Sequence, residues 1–394
     1  QASFSAILSI GGYFFRQMYH RTGFEVALDY NTYVWIAQLM ILGLSVGYLR
    51  DQLSSMKADK ADEITYLNNR LKDIEEINLT NDEIINAVED SLKAQGEGKT
   101  SIEPRVHIHP NPEYHGHFNV LRGYIEPKHA VGVKIVGDYV FNYEKNLPSE
   151  MSLLNLFDPE TGAPYAVIDA TAITTMRTGA ITAVGAKNLA KKKNKILGHL
   201  GCRGTAFWNV VLLDHLYDFE EIRINSRRRE SMESFAKSLE ARLHKKITIT
   251  ENSRECLEGA DIMVEATRLM EPMPLLKTEW IRPGNFVVPY GTICANEITL
   301  TDVMDKIVVD DWGQCREGGR LGSLSPHVRA GKLTGETLYA ELGDIVAGRK
   351  AGRESDEEKI LFWHRGLSIN DIALGQLYYE KALASNIGTK LFYR

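Results

Sequence analysis

From residue 196 onward, short apolar runs alternate with helical ones, and this alternation restricts the fold more than anything else in the chain. Strand-like runs at 196–200, 221–225, 247–250, 262–266 and 286–289 are interleaved with helical periodicity at 205–216 and 231–243. Parallel strands can be joined only through a crossover, so this order predicts an α/β fold, a doubly wound parallel sheet covered by helices.

The first turn of that region, KILGHLGCRGTAFWNVVLL, places glycines between an apolar strand and an amphipathic helix. A dinucleotide-binding turn of Rossmann type needs glycine where the backbone bends and where it approaches a pyrophosphate facing the helix amides. Gly201 and Gly204 meet that need, Arg203 and Thr205 flank them, and Ala206 suits close helix–strand packing. Arg203 stands where the second glycine of a GxGxxG pattern belongs, so a plain tight turn is the competing reading. At the end of the second strand the chain reads Asn225-Ser226-Arg227-Arg228-Arg229, without the carboxylate that would bind the ribose hydroxyls of NAD. Ser226 and Arg227 suit a 2′-phosphate better, so NADP(H) is expected over NAD(H), against a simple solvated helix entry.

Ahead of this region the texture changes twice. Residues 34–49 carry no charge, and residues 4–15 are also apolar and aromatic, which suits either a membrane segment or a buried or oligomer-packed helix. Membrane contact is expected only through residues 1–49. Residues 50–77 interleave charges of both signs with Ile64, Leu67, Leu71 and Ile74, the pattern of a linker helix. Next comes a capping box, Thr80 with Glu83, opening a helix that Gly96 and Gly98 stop. Strands are expected at 105–109, 117–124, 130–136, 152–157 and 165–168, and a long helix at 170–190.

A net charge of −6 offers no uniformly basic surface, which argues against nucleic acid as the main partner. Cys202, Cys256, Cys294 and Cys315 form no CxxC pair and read as free, inert thiols in a reducing, cytoplasmic setting. His107, His109, His115 and His117 crowd one stretch, but without an HExxH helix or a carboxylate set beyond Glu113 no metal site is expected.

From about residue 78 to its end the chain resembles the ornithine cyclodeaminase and μ-crystallin family, which includes ketimine reductases and amino-acid dehydrogenases. The motifs carrying the resemblance are PRVHIH, GVKIV, NLPS, DPETGAPYAVIDATAITTMRTGA, the glycine turn, ADIMVEAT, RPG and YAELGDIVAGRKAGR. The resemblance implies a homodimer and a discontinuous α+β substrate and dimerisation domain, residues 78–190 and 321–394, with the dinucleotide-binding domain, residues 191–320, inserted. Residues 1–77 remain a helical extension. It further implies that Arg105, Lys134 and Arg177 hold a substrate carboxylate and that Thr267 lies by the cofactor. Guanidinium and ammonium groups suit such a ligand chemically.

One departure bears on the reaction. Cyclodeaminases of this family carry an aspartate that falls near Gly291 or Thr292 here, and no carboxylate follows until Glu297, which reads as a separate family position. Hydride transfer to a preformed imine needs less acid–base machinery than ammonia elimination. The expected activity is an NAD(P)H-dependent reductase of an imine or ketimine of a 2-oxo acid, or a reversible small amino-acid dehydrogenase. Lys134 would polarise the imine or supply the proton, with Thr292 or Tyr290 lining the centre. The alternatives are a cyclodeaminase using NAD catalytically and a μ-crystallin-like NADPH-dependent binding protein. Asp310-Asp311-Trp312 with the glycines to Gly322 reads as a hinge or an ordinary loop, and Asp371 as a cofactor or structural contact.

Overall fold

A computed structural model describes residues 79–392 apart from 146 and 318–320, with isolated positions before residue 79. The stretches at 34–49 and 50–77 therefore lie essentially outside the described residues. No described helix is long and apolar enough to cross a membrane.

Helix α1 (Asn81–Gly96) starts at the capping box: the Thr80 hydroxyl accepts from Glu83 N at 3.2 Å, and the Glu83 carboxylate accepts from Thr80 N at 2.8 Å. Ile84, Ile85, Val88 and Leu92 form its buried stripe. Strands β1 (Thr100–Ile102), β2 (Val106–Ile108), β3 (Gly116–Ile125), β4 (Ala130–Tyr139), β5 (Glu150–Phe157) and β6 (Pro164–Asp169) follow. They pair antiparallel in the order β1-β3-β4-β5-β6, with β2 also on β3. Alternation along β4 buries Gly132, Lys134 and Val136 and turns Ile135 outward.

Helix α2 (Thr171–Leu189) is apolar on nearly every side and is buried almost throughout. After it the chain builds β7 (Ile196–Leu200), α3 (Ala206–Tyr217), β8 (Glu221–Asn225), α4 (Arg229–Leu243), β9 (Thr248–Ile249), α5 (Ser253–Leu257), β10 (Ile262–Glu265) and β11 (Phe286–Pro289). Beyond these come β12 (Lys306–Val309), α6 (Trp312–Arg316), α7 (Ser325–Arg329), β13 (Ala340–Glu341), α8 (Leu342–Val346), β14 (Ile360–Trp363) and α9 (Ser368–Ala384). The strands form one parallel sheet, β13-β12-β14-β11-β10-β7-β8-β9. From β7 the chain runs outward through β8 and β9, then returns to β10 on the other side, so the carboxyl ends of β7 and β10 flank a switch-point crevice.

The boundary drawn at residue 320 needs adjusting for this sheet. Strand β14 sits between β11 and β12, and β13 pairs with β12, although both fall in the segment read as returning to the substrate domain. Ile360–Trp363 lies well beyond the strand–helix alternation of 196–289 that marks the equally buried β10 and β11. Helix α9 then leaves the parallel sheet and covers the inner face of β3, β4 and β5, with α2 packed against it and against β5.

Candidate active site

Alternation along β4 delivers Lys134 to that inner face, 1% exposed. Helix α2 supplies Thr174 and Arg177, and the first turn of α9 supplies Asp371. Lys134 Nζ donates to Asp371 Oδ1 at 2.5 Å and to Thr174 Oγ1 at 3.2 Å, while Arg177 Nε donates to the same Asp371 oxygen at 3.0 Å. Two cations thus share one carboxylate oxygen, and Asp371 Oδ2 has no hydrogen-bond partner among the described residues. Burial pushes the Lys134 ammonium down to about 8, with Asp371 resisting and Arg177 reinforcing the shift.

Arg105 reaches the same locality from the turn before β2. Its Nη2 donates to the Arg365 and Gly366 carbonyls at 2.7 and 2.8 Å. Asp310 fixes the loop that offers them, because its Oδ2 accepts from Arg365 N at 2.8 Å and Gly366 N at 2.7 Å. A side chain at Gly366 would overlap the Arg177 guanidinium, so both arginines meet one loop. Burial pushes Arg105 down to about 10, which leaves it cationic at neutral pH.

Across the crevice, Gly201 has φ +102°, and a Cβ there would lie 2.6 Å from the Ala266 carbonyl oxygen. Only glycine lets β7 turn this close to the end of β10. At Gly204, φ is +59° and the space where a Cβ would stand is open. Thr205 precedes α3, and Ala206 is its fully buried first residue. A groove beside this turn is lined by polar residues that include Arg203, Arg228, Glu230, Ser231 and Ser234, two guanidinium groups against one carboxylate. The turn, the helix amides and the cationic groove fit a dinucleotide. Of the arginine run it is Arg228 that lines the groove, although Arg227 and Arg228 are both exposed, and Ser226 N donates to Met232 Sδ at 3.1 Å.

Tyr290 stands between the two halves. Its hydroxyl pairs with Thr205 Oγ1 at 3.0 Å and accepts from Asn209 Nδ2 at 3.2 Å, and its ring stacks on His364 at 4.8 Å between centroids. Burial pushes His364 down to about 3, so its imidazole is neutral. Thr292 is pinned by its backbone: its N donates to the Thr267 carbonyl at 3.2 Å and its carbonyl accepts from Gly322 N at 2.8 Å. No hydrogen bond among the described residues links Thr292 to the Lys134 cluster. Thr267 donates through N and Oγ1 to Glu265 Oε1 at 2.7 and 2.5 Å.

Glu265 was not singled out from sequence, although ADIMVEAT displays it. Its carboxylate fills the room of a side chain at position 291, since a Cβ on Gly291 would lie 2.6 Å from Glu265 Oε2. Glu297 points elsewhere, held by Lys277 Nζ at 2.8 Å and Thr278 N at 2.9 Å, contacts that keep its carboxyl low. The rings of His107, His109 and His117 gather at 5.6–5.8 Å between centroids, while His115 meets Phe141 edge-on. No group among the described residues could hold a metal ion. All four cysteines are buried and free, and burial pushes the Cys202 and Cys256 thiols up to about 12.

The chain is 33% identical over 321 residues to an alanine dehydrogenase of Archaeoglobus fulgidus, covering 79% of this chain and 94% of that protein. Its fold matches a Thermococcus litoralis Δ1-pyrroline-2-carboxylate reductase solved with NADH and L-proline: TM-score 0.75, 32% identity, 81% of this chain and 98% of that one. It also matches an archaeal alanine dehydrogenase dimer with bound NAD at TM-score 0.73 and 29% identity, over 82% and 98% of the two chains. The model of the ornithine cyclodeaminase/mu-crystallin family spans residues 67–386, so with these likenesses the chain belongs to that family.

Proposed function

We propose that the protein is an NAD(P)H-dependent reductase of an imine or ketimine of a 2-oxo acid, working in reverse as a dehydrogenase of the matching amino acid. The observation that carries this reading is the buried Lys134–Asp371–Arg177 cluster with Arg105 beside it. Arg105 and Arg177 hold the substrate carboxylate. Lys134, with an ammonium pushed down to about 8, holds the proton that the imine nitrogen takes up, and Asp371 keeps Nζ aimed. The Gly201–Gly204 turn would hold the pyrophosphate of a reduced dinucleotide, which would supply the hydride. Tyr290, fixed by Thr205 and Asn209, excludes water between the two halves. The names of the similar dehydrogenase and reductase support redox chemistry at a carbon–nitrogen bond. No aspartate stands at Gly291 or Thr292, and the Glu265 carboxylate beside Gly291 is already bound by Thr267 and Ser323, which disfavours ammonia elimination.

For the cofactor, Arg203 and Arg228 with the serines of the groove favour NADP(H). The Asn225 amide, at the strand end, is spent on the Thr250 carbonyl at 2.8 Å. Oxidation of NADPH and NADH, followed over 2-oxo acids with ammonia or methylamine and over cyclic imines, tests both points. Turnover with NADPH preferred is the expected result. Ammonia release from ornithine without net cofactor change would overturn the reductase reading, and activity with NADH alone the cofactor reading.

A homodimer and a reducing, cytoplasmic setting complete the reading. Val106, Ile108, Ile135, Leu153 and Val167 project from the outer face of the antiparallel sheet, each 41–66% exposed. An apolar face of that breadth suits a second copy of the chain. Light scattering should return a dimer mass, and Leu153→Glu should shift it toward the monomer; a monomeric wild type would remove the proposal.

A further inference from the structure

An ionic link that the proposed hydride transfer does not itself employ joins the two sheets. Arg268, three residues past β10, donates through Nη2 to Asp138 Oδ2 on β4 at 2.8 Å and to Glu150 Oε1 on β5 at 2.6 Å. Asp138 and Glu150 are cross-strand partners, and like charges placed so repel unless a cation lies between them. The Asp138 side chain is largely buried, and its other oxygen, Oδ1, has no hydrogen-bond partner among the described residues. His117, opposite Asp138 on β3, is lowered by burial and by His109 and Arg268, so it adds no positive charge at neutral pH. Burial pushes the Asp138 carboxyl up to about 6, Arg268 pulls against that and Glu150 adds to it, so at neutral pH the group is ionised. The antiparallel sheet thus carries a buried charge whose compensation comes from the other sheet.

The loop that Arg268 opens needs such a tie. From Arg268 to Pro274 every residue but Leu269 is exposed, so packing holds the segment weakly. Its backbone is held again at Met273, whose N donates to the Cys294 carbonyl at 3.2 Å. Thr267, expected beside the cofactor, immediately precedes Arg268. Asp138 shares the inner face of β4 with Lys134, roughly 13 Å along the strand. The ion-paired group therefore spans from the support of the hydride donor to that of the acceptor. Reacting carbons must approach to about 3–3.5 Å, and a misplacement of about 1 Å can cost 10²-fold in rate.

We propose that Arg268 is a positioning residue: paired with Asp138 and Glu150, it clasps the loop after β10 to the antiparallel sheet and fixes the distance between nicotinamide and substrate carbon. This rests on hydride passing between the two sheets, as the proposed function has it. Such a clasp acts on the chemical step and leaves the contacts that bind each ligand in place.

A nitroxide on Met270→Cys, in the exposed loop, tests the clasp without turnover, the four native cysteines being buried. Its correlation time in the NADP+-loaded protein should fall at least about twofold when Arg268→Met is added. Asp138→Asn with Glu150→Gln, which leaves no carboxylate unpaired, should do the same. Without the label, kcat for imine reduction at pH 7.5 should fall at least about tenfold in both variants, with the NADPH Kd and the imine KM each within about threefold of wild type. Combining all three substitutions should cost no more than Arg268→Met alone, because the groups act as one unit. An unchanged nitroxide spectrum overturns the clasp. A kcat within about twofold of wild type, a loss carried by Kd or KM alone, or fully additive losses in the combined variant overturn its positioning role. A freed loop in both variants, with no NAD(P)H oxidation by the wild type on any imine, would instead sink the reductase reading and leave the link between the sheets standing.

Discussion

Replacing Lys134 with methionine should lower kcat/KM for imine reduction by about 10²–10⁴, the range a positioned general acid supplies. The chain length and the buried stem are kept, and Arg177 still neutralises Asp371, so the fold should survive. The wild-type pH profile carries the sharper signature. With its ammonium pushed down to about 8, Lys134 is protonated below that pH and neutral above it. Reduction, which needs the proton, should fall as pH rises through about 8; amino-acid oxidation, which needs the neutral amine, should rise toward the same point. Both limbs should vanish in the methionine variant. Cofactor binding, read by NADPH fluorescence, should persist, since Lys134 lies on the antiparallel sheet and the glycine turn on the parallel one. Full activity in this variant, or an unchanged limb near pH 8, would remove Lys134 from the chemistry.

Legibility of the molecule in its sequence follows how local each signal is. The capping box at Thr80 and the glycine turn after β7 are set within a few residues, and both could be recognised directly. The short strand-like run at 130–136 likewise marked β4, and the Ala/Thr-rich run α2. Strands β13 and β14 lie beyond the strand–helix alternation of 196–289, and β14 returns from far along the chain to sit between β11 and β12, so the domain boundary drawn at residue 320 separates both from their sheet. The site shows the same division. Arg105, Lys134 and Arg177 could be named from motif positions, but Asp371, the common counter-ion of Lys134 and Arg177, comes from 194 residues beyond Arg177. No spacing rule relates such distant positions. Asp310 could be read only as part of a hinge or loop, because the amides it holds, at Arg365 and Gly366, lie far along the chain, whereas Glu265 escaped although its partner Thr267 is two residues away. Arg228 could not be ranked above Arg227, because a three-arginine run does not reveal which member turns into the groove.

Removing the charge of that counter-ion should have the largest effect on stability. In Asp371→Asn the carboxylate that both Lys134 and Arg177 address becomes a neutral amide of the same shape, and two buried cations lose their common partner. Breaking a buried pair from one side costs about 3–5 kcal/mol, which a denaturant midpoint resolves readily. The pH dependence separates this cause from a packing defect. In the wild type, the folded-state Lys134 value of about 8 lies below the ordinary lysine value of 10.5, so the unfolded chain binds more protons between those limits and stability rises with pH only across that window. Without Asp371 only Glu150 still resists burial and Arg177, and the folded value drops below 8. The variant then begins to recover at lower pH than the wild type, by up to about 1.4 kcal/mol per unit. The gap between the two proteins should therefore narrow as pH is raised toward 8 and stay constant above it. A gap of the same size at pH 6 and pH 8 would mean that the lost hydrogen bonds, and not an uncompensated ammonium, set the cost.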